Sequence, residues 1–504
     1  MSLEETVDPM RYACLSHCWG NPKTLVRTTL TNKHQHITEG VAIEDLPKTY
    51  RDAILVCRKI EVDYLWIDSL CIVQDDDQDW REQASRMGDV YENAFVTIAA
   101  VTAQDASQGL FRTTPDFRIG ISMQKFPWIR VRQQARKPGN SDYKLAQTTH
   151  SGDSWPLYRR GWTYQELSLS PRVLHFGPEE VIWSCRGKLA FEGDPALDQY
   201  LSNAVFTNRD LARKQWSPQE TWQHVVQGYS FRKLTFERDK LPAIAAFVSR
   251  IKADHPEKQY IAGLWEETLH FDLLWHGSSL LDPSQLPRWR KPTWSWISVR
   301  YSVSWPIRPD LCQYLPCTKI VRTEYVTRGP PILGDIVEAS LTIEAPIIKL
   351  KQEFWHHAMR DFYKNTKDYN LVKHFHREDN TTGPIFLEGP HWECEESDIP
   401  KNDDPNAKTF AIPLIGLRRG GNPRGHKYFI NALLVKETDE PGEYRRIGTG
   451  FVHFIEGCVL ARLSPGDEAQ NGMHEDTLVQ ARAEADARLI EELGRMDTQK
   501  FKLI

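Results

Sequence analysis

The chain has 504 residues and a formal net charge of −5, its 63 Lys and Arg scattered among 68 Asp and Glu. That length exceeds one compact core, and the charge balance supplies no field favouring nucleic acid or an anionic membrane. Apolar residues make up only 40%, yet 17 Trp, 17 Tyr and 20 Phe offer large areas for burial, so a folded, soluble protein of two or three domains is expected. Met1 to Met10 lacks the basic and apolar segments of a leader, and no run is long enough to span a bilayer. Nine cysteines, an odd number set mostly in apolar runs, fit buried reduced thiols. These features predict residence in the cytoplasm, with the nucleus left open.

In chain order, apolar Tyr12 to Leu15 predicts a short buried strand ended by Ser16 and His17, with Gly20-Asn21-Pro22 as the turn behind it. Leu46-Pro47 opens a helix in which Tyr50, Ala53, Ile54, Cys57 and Ile60 recur at helical spacing, and Val62 to Ile67 follows as a second strand. Strand, helix and strand of these lengths predict a right-handed crossover with parallel pairing. The acidic loop Gln74 to Asp79 caps a helix carrying Trp80, Ala84, Met87, Tyr91 and Ala94 on one face, and Phe95 to Ala100 is a third strand. Arg136 to Ser154 is a polar surface loop. From Arg160 a short helix leads to strands Val173 to Phe176 and Val181 to Cys185, closing a first domain.

Beyond it, Trp222 to Leu234, Asp239 to Ile251 and Tyr260 to Leu274 have helical periodicity. Leu341 to Leu350, Phe429 to Lys436 and Tyr444 to Phe454 are strands, the last two joined across a Pro-Gly turn. Asp467 to Leu493 predicts a charged helix. The fold class is therefore α/β, a parallel sheet flanked by helices, followed by a mixed α+β region.

If the strands ending at Ser16 and Ile67 are parallel neighbours, Ser16, His17, Asp68 and Ser69 share one edge of the sheet, where open α/β folds place ligands. Trp19 and the loop Gln74 to Asp79 overhang it. The commoner use of Ser16 and Asp68 would be to satisfy turn amides. Asp75, Asp77 and Asp79 alternate as in a calcium loop, but Trp80 and Arg86 occupy the positions that need Gly and Glu. Cys312, Cys317, His374, His376, His391 and Cys394 lack the short paired gaps of a zinc site. No phosphate-cradling glycine loop, dinucleotide fingerprint or nucleophile elbow occurs.

Three blocks stand in one order: YACLSHCWG (Tyr12 to Gly20), LWIDSLCIVQDDDQDW (Leu65 to Trp80) and RGWTYQELSLSPRVLHF (Arg160 to Phe176). Together they resemble the HET domain, the heterokaryon-incompatibility module of filamentous fungi. The resemblance implies a TIR-like domain over about residues 10 to 190, a helical region typical of such proteins over 191 to 300, and a β-rich region with a charged C-terminal helix over 301 to 504. It implies a role in non-self recognition and programmed cell death through homotypic HET-domain assembly or an incompatibility partner. No cofactor is required on that reading.

The alternative it implies is a hydrolase that cleaves NAD, since some TIR domains use a glutamate in a W-x-x-E context after the third strand. Glu82 is the matching acid here, although Trp80-Arg81-Glu82 is one residue short of that spacing, and a first-turn acid is favoured by the helix dipole alone. Glu166 is the rival carboxylate, flanked by Arg160 and Arg172, which could pair with it or, for Arg160, hold a phosphate. Trp19, Trp80 and Trp162 are the aromatics available to grip a nicotinamide.

Overall fold

The computed structural model describes residues 1–4, 10–21, 25–112, 155–178, 180–192, 216–277, 292–299, 302–305, 312–316, 318–330, 332, 334–352, 375–377, 385–392, 409–419, 427–454 and 498–504. The expected loop Arg136 to Ser154 and the expected helix Asp467 to Leu493 lie outside these, as do the side chains of the six residues weighed for zinc. The chain divides into two compact units, Met1–Pro256 and Glu257–Ile504.

The first unit is built on β1 (Tyr12–Ser16), β2 (Tyr64–Ile67), β3 (Val96–Ala99), β4 (Arg172–Phe176), β5 (Val181–Cys185) and β6 (Leu189–Phe191). They form one sheet in the order β2-β1-β3-β4-β5-β6. Pairing is parallel from β2 through β4 and antiparallel beyond. The helices are α1 (Lys33–Thr38), α2 (Lys48–Lys59), α3 (Asp68–Cys71), α4 (Asp77–Asn93), α5 (Thr163–Leu169), α6 (Pro218–Tyr229) and α7 (Ala245–Asp254).

Local chemistry explains where these elements begin. Pro47, with its fixed φ, precedes α2, whose Tyr50, Ala53, Val56 and Cys57 are buried. Asp76 caps α4 by accepting from the amides of Gln78 and Asp79. Ser217 and Glu220 form a reciprocal capping box that starts α6 at Pro218, four residues before the expected Trp222. The expected helix Asp239 to Ile251 is delayed to Ala245 by two 3-10 turns, the second opening at Pro242.

Alternation along β1 divides the core. Ala13 and Leu15 pack with Tyr50, Ala53, Val56 and Cys57 of α2. Cys14 faces the other way, with Met87 and Tyr91 of α4 and with Ala94. Helices therefore cover both faces, as a mainly parallel sheet requires.

In the second unit, the expected helix Tyr260 to Leu274 is instead a hairpin of β7 (Tyr260–Ile261) and β8 (Leu264–Trp265) followed by the short α8 (Leu269–Asp272). Ala262 and Gly263 turn between the strands at φ 45° and 91°, a pair of left-handed residues that a helix cannot contain. Their carbonyls are held by the Ser295 hydroxyl and the Trp296 indole N–H. Strands β9 (His276–Gly277) and β10 (Val303–Ser304) pair beyond them.

The large sheet of this unit comprises β11 (Cys312–Pro316), β12 (Lys319–Arg328), β13 (Asp335–Ala345), β14 (Ile348–Gln352), β15 (Phe375–Arg377), β16 (Ile385–Trp392), β17 (Thr409–Arg419), β18 (Lys427–Glu437), β19 (Glu443–Phe454) and β20 (Gln499–Leu503). Its order is β12-β13-β20-β19-β18-β17-β14-β15, with β11 on β17 and β16 on β19. The expected hairpin between β18 and β19 is present. Leu341 to Leu350 is two strands rather than one, broken around Pro346, which has no N–H to give a ladder. Arg446 is buried, lies 3.6 Å from the Trp275 ring and donates to the carbonyls of Leu273 and Trp275.

Gly88 permits a close approach of α4 to α7, because a Cβ there would lie 2.2 Å from the Cβ of Ala246. Gly88→Leu is expected to lower the unfolding free energy by about 1–3 kcal/mol through overpacking. Equilibrium denaturation followed by circular dichroism measures it.

Candidate functional site

The order β2-β1-β3 makes the gap between β1 and β3 a topological switch point, where successive crossovers leave β1 in opposite directions. The carboxyl ends of β1 and β2 deliver Ser16 and His17 beside Asp68 and Ser69. Tyr12 to Leu15 of β1 align in register with Tyr64 to Ile67 of β2.

Successive residues turn to opposite faces, so Ser16 and His17 enter different polar networks. Ser16 Oγ donates to Glu166 Oε2 at 2.6 Å on the side covered by α5. His17 Nε2 lies 3.0 Å from the Tyr50 hydroxyl on the α2 side, and that hydroxyl is 2.7 Å from Ser69 Oγ. Ser69 Oγ also donates to the Val26 carbonyl at 3.1 Å.

Asp68 sits at the rim beside Ser69 and Trp19. Its Oδ1 accepts from the Ser69 amide and its Oδ2 from Trp19 Nε1, both at 2.8 Å. His17 Nδ1 is 3.9 Å from Asp68 Oδ1, beyond hydrogen-bond reach, and is a buried nitrogen without a side-chain hydrogen-bond partner among the described residues. Ser16, His17, Ser69 and Glu166 are all buried, whereas Trp19 and Arg160 are half-exposed.

Glu166 is fixed by the pinning of α5 at both ends. Thr163 Oγ1 donates to the carbonyls of Leu157 and Arg160, at 2.8 and 2.9 Å. Ser170 Oγ donates to the Glu166 carbonyl at 2.6 Å and sits 2.5 Å from Thr97 Oγ1 on β3. Burial raises the Glu166 carboxyl to about 7; Asp68 adds to the rise, while Arg160 and the hydroxyls of Ser16 and Tyr91 oppose it. Burial lowers His17 to about 4, with Asp68 opposing and Arg160 adding. Near neutral pH the rim thus holds a neutral imidazole and a carboxyl able to give or take a proton, the property asked of a general acid or base.

Arg160 donates to the His17 carbonyl, and its guanidinium carbon is 5.9 Å from the Trp19 ring. Arg172 donates to the Phe95 carbonyl at 3.0 Å. The structure therefore brings together Ser16, His17, Trp19, Asp68, Ser69, Arg160 and Glu166. Glu82 is not with them: it is 61% exposed on α4, 3.8 Å from Arg86 one turn along. Trp162 meets Trp80 edge-on and donates to Asp239 at 3.2 Å. Tyr50, which couples His17 to Ser69, was visible in the sequence only as an apolar helix position. The sequence carried no signal for what its hydroxyl would meet.

The pH dependence of stability follows from these shifts. Glu166 is protonated in both states below about pH 4.5; between there and about pH 7 only the folded state holds the proton, so its contribution falls as pH rises, by roughly 3 kcal/mol in all. His17 acts oppositely: its folded value lies below the unfolded one, so stability is lost as pH falls from about 6.5 to about 4. Subtracting the Glu166→Gln profile from wild type isolates the carboxyl. The difference in unfolding free energy is expected to turn against wild type across pH 4.5 to 7 and to level off above.

No curated protein and no solved structure gives a significant match to the chain. A family model described as Heterokaryon incompatibility protein (HET) matches residues 12–166, a span that opens on β1 and closes at Glu166 itself. The residues that build the rim, from Ser16 to Glu166, all fall within that match, and the chain carries a HET domain.

Proposed function

We propose that the chain acts in heterokaryon incompatibility as a non-self recognition protein of the cytoplasm, its HET domain serving as an assembly module that passes recognition on to cell-death signalling. The partner is another HET domain or an incompatibility protein. The observation that supports an interaction role is the closure of the rim: Ser16, Ser69, Tyr50 and Glu166 are buried and already bonded to one another or to main chain. No helix among the described residues is long and apolar enough to cross a membrane.

A second reading, a TIR-like domain that cleaves NAD once assembled, is favoured by one specific observation. Glu166 combines a carboxyl near neutrality with a serine hydroxyl at 2.6 Å, below a half-exposed tryptophan and arginine. A carboxylate could hold ribose hydroxyls while positive charge develops at the anomeric carbon. Glu82, out on the α4 surface, has no part in that version.

Purified full-length protein, concentrated until light scattering reports assembly and then supplied with NAD, tests both. Assembly without nicotinamide release is the expected result. Release that persists in Glu82→Gln and falls by about a hundredfold or more in Glu166→Gln, the scale of a lost general acid or base, would instead establish the hydrolase.

A further inference from the structure

Phe236 is 57% exposed in the connection after α6. The Arg238 guanidinium carbon lies 5.4 Å from the Phe236 ring and 5.8 Å from the Trp80 ring. Trp80 meets Trp162 edge-on with ring centroids 6.2 Å apart. Phe236, Arg238, Trp80 and Trp162 thus form one continuous surface patch, its two indoles half-buried and its phenyl ring and guanidinium exposed. Arg238 only grazes Asp239, at 4.0 Å, and stays 61% exposed.

Burial of an exposed phenyl ring and two half-covered indoles is a large apolar gain still to be made, and Trp and Arg are the residues on which interface energy concentrates. Charge says what fits. On α4, Asp77 is exposed and one turn before Trp80, on the same side of the helix. The patch therefore carries an anion, Asp77, and a cation, Arg238, around an aromatic centre. A surface with both signs flanking an apolar centre is complementary to itself under a two-fold rotation, where each residue meets the mate of its own partner.

We propose that this patch is the face on which a second copy of the chain docks, as a two-fold dimer in which Phe236 covers the aromatic pair of the other copy and Arg238 faces its Asp77. The inference rests on the assembly reading and names its surface. It is separate from the buried rim, so it can fail without disturbing that site.

Sedimentation of the full chain over a concentration series tests it, with circular dichroism to show that each variant is folded. Wild type is expected to dimerise. Phe236→Asp, Arg238→Glu and Asp77→Arg should each weaken the dimer about tenfold or more, while the double variant Asp77→Arg, Arg238→Glu should recover most of the loss because the pair is restored with its signs exchanged. Wild type that assembles while the single variants assemble equally well overturns this surface and leaves the assembly reading intact. A double variant as weak as the singles overturns the charge pairing. A folded wild type that stays monomeric throughout overturns both the surface and the assembly reading.

Discussion

One hydrogen bond, from Ser16 to Glu166, ties together residues 150 positions apart and both ends of the matched family span. The α5 side of the rim is arranged around the constraint it expresses. A buried carboxyl must find a donor or hold a proton, and Glu166 has Ser16 as donor while burial raises its carboxyl to about 7. The donor comes from the last residue of a central strand, and the carboxyl comes from a helix whose seven residues are all buried. Hydroxyls at Thr163 and Ser170 stop that helix from shifting, so the position of Glu166 is set by polar side chains as much as by packing.

The half of the rim beyond His17 is held differently. Tyr50 links an imidazole to a serine across the α2 side, while Asp68 takes an indole N–H and an amide N–H. The two halves respond to acid in opposite senses, because one buries a group that resists losing its proton and the other a group that resists gaining one. Neither ordinary range, carboxylate or imidazole, applies to the pair.

Much of the first unit was legible beforehand because it is written in short-range periodicity. The runs of β1, β2 and β3, the buried face of α2 and the capping of α4 follow from patterns of two, of three to four, and from the acidic loop Gln74 to Asp79. Parallel pairing of β1 with β2 then puts Ser16, His17, Asp68 and Ser69 on one edge without further information. Glu166 could be named as a candidate but not ranked above Glu82, because burial and a partner 150 residues away leave no local trace. The failures in the second unit have the same origin. Tyr260 to Leu274 reads as a helix by spacing, yet Ala262 and Gly263 adopt left-handed angles that tertiary hydrogen bonds from Ser295 and Trp296 stabilise.

The five residues of β1 assign polar groups to opposite sides by parity alone. Deleting or inserting a single residue between Tyr12 and Ser16 would send an imidazole toward Glu166 and a hydroxyl toward Tyr50, exchanging acid and base neighbours while leaving composition almost untouched. Spacing within this strand is therefore under tighter physical constraint than the identity of its apolar members.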